Sequence, residues 1–208
     1  MPRIITINSQ KGGTSKTTLS LNLYHYFTDG GLTCALVDAD EQGSLTQLFE
    51  DNEGMNLIPR ANIDSWEDIA AIEDADVIII DTPPYLASDL PAIFAMSDIV
   101  VIPFRAAAFD ILALNATVGL VESAKKENGA LRACIVLTQG IHSTGFNKDA
   151  RLAVKEYGLP VLSSVMKMRV DYARSLDTDK AIYSTENPKA ISEIEAIGNE
   201  IINLVDVG

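Results

Sequence analysis

Six short apolar runs recur along the chain: RIITIN (3–8), TCALVD (33–38), DVIIID (76–81), DIVVIPF (98–104), RACIVLT (132–138) and LPVLSSV (159–165). Most are continuous rather than alternating, which is the pattern of strands buried on both faces. Helical patterns fill the gaps. In SKTTLSLNLYHYFTDG (15–30), Leu19, Leu23, Tyr26 and Phe27 share one face, and Gly30–Gly31 ends the helix. FDILALNATVGLVESAKKENG (109–129) is a second such stretch, stopping at Gly129. Strand–helix alternation predicts an α/β fold, a mostly parallel sheet flanked by helices. There is no internal repeat or linker, so residues 1–208 are expected to form a single domain.

Composition narrows the setting. At 208 residues and 47% hydrophobic, the chain can bury a sizeable core. No apolar run approaches the roughly 20 residues of a membrane helix. The opening MPRIITINSQ has neither the apolar region nor the cleavage site of a secretory signal. Cys34 and Cys134 lie far apart and form no CxxC pattern, which predicts reduced core residues in a cytoplasmic protein. Sixteen basic and 29 acidic residues give a net charge of −13, which argues against a broad nucleic-acid surface.

The first run leads into NSQKGGTSKTT (8–18), and a helical pattern follows. A loop at the carboxyl end of a parallel strand is where such sheets bind phosphate. Gly12 and Gly13 have no Cβ to obstruct a close approach, and a helix N-terminus adds about half a positive charge. Lys16 can reach the terminal phosphates of a nucleotide, and the Thr17 hydroxyl can ligate Mg²⁺. Against the pattern GxxxxGK[ST] the match is poor, because Gln10 and Ser15 occupy the glycine positions. Against KGGxxK[ST] it is complete, from Lys11 through Gly12, Gly13, Thr14, Ser15 and Lys16 to Thr17, with Thr18 following.

That variant loop resembles the deviant Walker A motif of the ParA/MinD ATPases. The segments LVDADEQGSLTQ (36–47), DVIIIDTPP (76–84) and SDIVVIPFRAAAFDILAL (97–114) resemble the segments that follow it in the family, so the likeness covers essentially the whole chain. It is nearest to the short partition ATPases, with no N-terminal helix-turn-helix domain before the loop. The resemblance implies ATP bound by residues 11–18 with Mg²⁺ held by Thr17, Asp38 and Asp81. It also implies a nucleotide-dependent homodimer in which Lys11 reaches the partner's phosphates. A cation supplied in trans stabilises charge developing during phosphoryl transfer. Lys11, Lys16 and Asp40 would then be the catalytic residues, with Asp40 positioning the attacking water. Two departures stand out. Ser15 replaces the more common glycine, and Glu41 replaces the proline usual in the DxDPQ segment.

Family members bind DNA without sequence preference through basic residues late in the chain. Lys167, Arg169 and Arg174, in VMKMRVDYARSL (165–176), are the corresponding candidates. Part of that segment, with Thr138 and Gln139, would instead line the adenine pocket. The C-terminal stretch PKAISEIEAIGNEIINLVDVG (188–208) carries a stripe of Ile191, Ile194, Ile197, Ile201 and Leu204 or Val205, opposite Glu193, Glu195 and Glu200. An anionic membrane would repel that face, so the stripe is read as core-covering and no membrane is expected. His25 and His142 have no metal-spaced partner and read as structural. Cys34 and Cys134 are not placed like the cluster cysteines of nitrogenase-type iron proteins, and the tail lacks the tyrosine cluster of related kinases.

The resulting expectation is a slow, partner-stimulated ATPase in the cytoplasm, associated with the nucleoid. It would partition a plasmid or chromosome with a ParB-like protein. The alternatives are a ParA-like ATPase that positions another cargo, or a nucleotide-binding scaffold with little hydrolysis.

Overall fold

A computed structural model of the chain describes residues 1–49, 54–105, 110–140 and 151–205. His142, residues 106–109 of the 97–114 segment and residues 206–208 of the C-terminal stretch lie outside them. Among the described residues, seven strands form one sheet: β1 (Arg3–Ile7), β2 (Cys34–Asp38), β3 (Leu57–Pro59), β4 (Val77–Asp81), β5 (Ile99–Arg105), β6 (Arg132–Gly140) and β7 (Val161–Lys167). Their order is β3-β2-β4-β1-β5-β6-β7, and every pairing is parallel. The fold class is therefore the one expected. β3 was not legible, because three half-buried residues ending in Pro59 make no apolar run. A short edge strand with proline is a common way to blunt a sheet edge.

The continuous runs make sense because each strand feeds two cores. Ile5, Ile7, Leu36 and Ile79 point to one face, packed by α1 (Lys16–Asp29) and the C-terminal helix Pro188–Val205, here α8. Ile4, Val37, Ile78 and Ile80 point to the other. That face is covered by α3 (Trp66–Ala70), α4 (Leu90–Met96) and α5 (Asp110–Ala124). The remaining helices are α2 (Ser44–Phe49), α6 (described over 151–155) and α7 (Val170–Arg174). β1 lies between β4 and β5; the connection from β1 runs to β2 on one side of it, and the connection from β4 crosses to β5 on the other. The crevice at the carboxyl end of β1 is thus a topological switch point, where open α/β sheets hold ligands.

Both cysteines are free and buried, as expected. No described helix is long and apolar enough to cross a membrane. On α8, Ile194, Ile197, Ile201 and Val205 are buried, which makes the stripe core-covering. Its acidic residues divide. Glu195 is exposed. Glu200, however, accepts hydrogen bonds from the amides of Ser163 and Ser164 and the Ser163 hydroxyl on edge strand β7 (2.6, 2.7 and 2.8 Å). Glu193, two turns earlier, accepts from the Lys167 amide at 3.2 Å. These two carboxylates dress an edge that would otherwise show open backbone donors.

On α1, Leu19, Leu23 and Phe27 are fully buried, whereas Tyr26 is only partly so and packs against α8. A Cβ on Gly198 would lie 2.3 Å from the Tyr26 ring. Gly198→Ala should therefore destabilise the protein by about 1–3 kcal/mol in chemical denaturation, the cost of overpacking. At an unhindered helix position the same change would stabilise. Tyr26→Ala in the same chain should recover much of the loss.

His25, also on α1, is 8% exposed, and its Nε2 has no hydrogen-bond partner among the described residues. Burial, with Lys180 adding to it against Asp29, pushes its pKa from 6.5 down to about 4. The unfolded chain then takes up a proton near pH 6.5 that the folded chain refuses until about 4. Stability from this group is full above 6.5 and falls as pH drops through that window. Denaturation midpoints between pH 7 and 4 should fall less steeply for His25→Gln than for the native chain.

Candidate nucleotide site

Strand β1 delivers the loop, and buried polar contacts fix where it starts. The Asn8 side-chain Nδ2 donates to Thr82 Oγ1 at 2.8 Å, and the Thr82 hydroxyl donates to the Ile7 carbonyl at 2.8 Å. The loop is thereby tied to the segment just after β4. Gly13 has φ 74°, a left-handed value that favours glycine. Among the described residues, a Cβ at Gly12 or Gly13 would meet nothing within 4 Å, so the backbone there can be approached closely.

Ser15 is the N-cap of α1, yet its side chain makes no capping bond. The first amides of the helix therefore have no side-chain acceptor from that residue, and such amides attract anions. Lys16 is buried, and its Nζ donates to the Lys11 carbonyl at 3.0 Å, folding back along the loop. Burial lowers the Lys16 pKa, and Asp81 and Asp40 oppose that shift. The Thr14 hydroxyl donates to the same Lys11 carbonyl at 3.3 Å. Thr18 lies in the first turn, where its carbonyl accepts from Asn22.

The acidic residues converge on this helix start. Asp38 and Asp81 end adjacent strands and are partners in register. Asp81 Oδ2 accepts from the Thr17 hydroxyl at 2.7 Å, and Oδ1 accepts from Ser20 at 2.9 Å. Complete burial pushes the Asp81 pKa up to about 7, against the pull of these hydroxyls and Lys16. Asp38 is fully buried, and its Oδ2 accepts from the amide and hydroxyl of Thr46, both at 2.9 Å. Asp40 is half-buried; its Oδ1 accepts from the Gln42 amide at 3.0 Å, and Glu41 beside it is exposed. A turn forms here without proline, because the Gly43 amide reaches the Asp40 carbonyl at 2.8 Å and Gly43 adopts φ 61°.

These residues suit a hard cation. Asp81 is a buried carboxylate whose ionised form is disfavoured, and it adjoins a second buried carboxylate and a hydroxyl ligand. A magnesium ion takes such oxygen ligands. Ser20, Thr46, Asn8 and Thr82 complete the arrangement and were not anticipated.

The three late basic residues are not equivalent. Arg169 forks onto Glu193, with Nε and Nη2 at 3.1 and 2.5 Å, and Lys167 Nζ lies 3.4 Å from the same carboxylate. Tyr172 donates to it as well, at 3.1 Å. Despite partial burial, the Arg169 hydrogen bonds hold the Glu193 pKa below its ordinary value. Arg174 is exposed at the end of α7. Thr138 and Gln139, expected near the adenine, bond to the phosphate loop, as described below.

A parallel sheet with a glycine-bearing loop at its switch point, a lysine at the helix start and a buried aspartate on the neighbouring strand defines a phosphate-loop nucleotide-binding protein. The chain belongs to the CobQ/CobB/MinD/ParA nucleotide binding domain family, whose model matches residues 5–182. Over 207 residues it is 27% identical to the maintenance of carboxysome distribution protein A of Halothiobacillus neapolitanus, covering 95% of each chain. Its fold matches that of a protein described as a plasmid partition protein from Borrelia burgdorferi bound to AMPPNP, with TM-score 0.77, 21% identity and coverage of 98% and 99%. It also matches cobyrinic acid a,c-diamide synthase from Mycobacterium smegmatis with bound ADP and magnesium, with TM-score 0.73, 19% identity and coverage of 98% and 95%.

Proposed function

We propose that the chain is a Mg²⁺-dependent ATPase that works as a switch: ATP joins two copies, hydrolysis releases them, and the cycle positions an intracellular cargo. The observation behind this reading is the loop from Lys11 to Thr17 with the buried Asp81 bonded to Thr17. Lys16 and the amides at the start of α1 would hold the phosphates. Thr17, Asp38 and Asp81 would hold Mg²⁺, which when bound neutralises phosphate charge. Asp40, half-buried beside the loop, would orient the attacking water, giving ADP and phosphate. Lys11 would complete the partner's site. Turnover is slow until a partner protein stimulates it.

The nature of the cargo is supported by the relative that aligns over 95% of both chains at 27% identity and is named for carboxysome distribution. This favours a protein-bound body over a plasmid or chromosome with a ParB-like partner. The protein would act in the cytoplasm with nucleoid DNA as its track. The charge of −13 and the sharing of Glu193 by Lys167 and Arg169 leave a small, salt-sensitive DNA patch. A dimer doubles that patch.

Two measurements test the reading. Asp40→Ala, which should hold ATP without hydrolysing it, should bind non-specific duplex DNA with ATP and release it with ADP or added salt. If no nucleotide supports DNA binding at low salt, the nucleoid track is wrong. In the host cell, deletion should scatter or cluster one protein-bound body while plasmid and chromosome inheritance stay normal. Loss of plasmid inheritance with normal body spacing would return the function to partition.

A further inference from the structure

Ser15 has a side chain where the backbone turns left-handed, at φ 68° and ψ 29°. For a non-glycine residue that conformation costs roughly 1–2 kcal/mol. Among the described residues, the other non-glycine positions with positive φ are Gln139 (51°) and Ala181 (46°). Ser15 and Gln139, separated by 124 residues in sequence, are in contact.

Gln139 lies near the end of β6. Its Nε2 donates to the Gly13 carbonyl at 2.6 Å and to Ser15 Oγ at 3.2 Å. The Thr138 hydroxyl, itself buried, donates to the Thr14 carbonyl at 2.9 Å. The end of β6 therefore grips three consecutive loop residues through three acceptors.

The grip has a direction. In a trans peptide the carbonyl of one residue and the amide of the next point opposite ways, and the described chain has no cis bond. Holding the Gly13 and Thr14 carbonyls toward β6 turns the Thr14 and Ser15 amides away from it and fixes both peptide planes. Amides already oriented for an anion need less reordering when it binds.

We infer that Gln139 is a positioning residue of the phosphate loop, and that Ser15 and Gln139 act as a coupled pair in place of a lone glycine at position 15. The inference rests on residues 11–17 being the nucleotide site. Ser15 offers Gln139 a second acceptor that glycine lacks, so the left-handed strain at 15 is offset by the tether it makes possible. A change at either position should alter what a change at the other does.

The test uses Gln139→Met, which keeps the side-chain length and loses the donor, together with Ser15→Gly and the double variant. ATP affinity, KM, kcat and melting temperature are measured for each. Gln139→Met should weaken ATP binding and raise KM about tenfold, with kcat within about twofold of native. The effects of Gln139→Met and Ser15→Gly should be non-additive by about threefold or more. A merely structural role would lower the melting temperature and leave KM unchanged. Native ATP affinity in Gln139→Met overturns the inference and leaves the site reading intact, whereas failure of the native chain to bind ATP overturns the site reading itself. Should Gln139→Met not fold, Gln139→Asn serves: it tolerates the left-handed backbone but withdraws the amide by one methylene, and unchanged affinity there is equally contrary.

Discussion

Lys16→Ala should abolish useful ATP binding, with affinity falling about 100-fold or more. The ammonium is buried at the start of α1, and its partner is the Lys11 carbonyl across the loop. A bound phosphate would replace that carbonyl as its partner, exchanging a neutral acceptor for a charged one. Truncating one member of a buried charged pair costs about 2–5 kcal/mol, much of it from the charge left unpaired. The fold should survive, because Lys16 is not part of the hydrophobic core, to which the same helix contributes Leu19, Leu21 and Leu23. Nucleotide titration followed by calorimetry checks both points. Native-like ATP affinity would remove the loop from the site.

Lys11→Ala should behave differently, and the contrast is diagnostic. ATP affinity of the single chain should change by no more than about threefold, while turnover drops on the order of 100-fold or more, as when a cation supplied in trans is withdrawn. Lys16 is buried at the helix start; Lys11 precedes the glycine pair and is half-exposed. The two lysines therefore separate holding the phosphates from stabilising the charge that develops on them. A mixture of Lys11→Ala and Asp40→Ala chains bears on the same point. Only a mixed dimer can pair an intact Lys11 with an intact Asp40, so partial recovery of turnover in the mixture is expected. Equal loss of binding and turnover in Lys11→Ala would mean that Lys11 acts only within its own chain.

The sheet and the core of the site were readable in the sequence because their signals are local. A continuous apolar run marks a strand buried on both faces, and Val77 to Ile80 is such a run, ending in Asp81. The loop, its lysines and the two strand-end aspartates are motifs of a few adjacent residues. What stayed hidden depends on residues far apart. Thr46 holds Asp38 from eight positions away, and Gln139 holds Ser15 across the fold. No periodicity announces either contact. The acidic face of α8 was misleading in the same way, since charge spacing alone does not distinguish a solvated stripe from Glu193 and Glu200 capping a sheet edge. Lys167 and Arg169 looked available for DNA until Glu193, more than 20 residues later, came to lie between them.

The Ser15 and Glu41 departures have different physical standing. Glu41 is exposed, and the turn it occupies closes through Gly43, so proline is not needed to shape the switch segment. Ser15 lies inside the loop, under backbone strain, and is tied to β6. Its effect should appear in nucleotide affinity rather than in the chemical step.

Sedimentation of Asp40→Ala without nucleotide, with Mg²⁺ and ADP, and with Mg²⁺ and ATP tests the switch most directly. The account predicts a monomer in the first two conditions and a dimer in the third, with Lys11→Ala added to the same chain weakening the dimer. One unchanging mass in all three conditions, with ATP demonstrably bound, would contradict it.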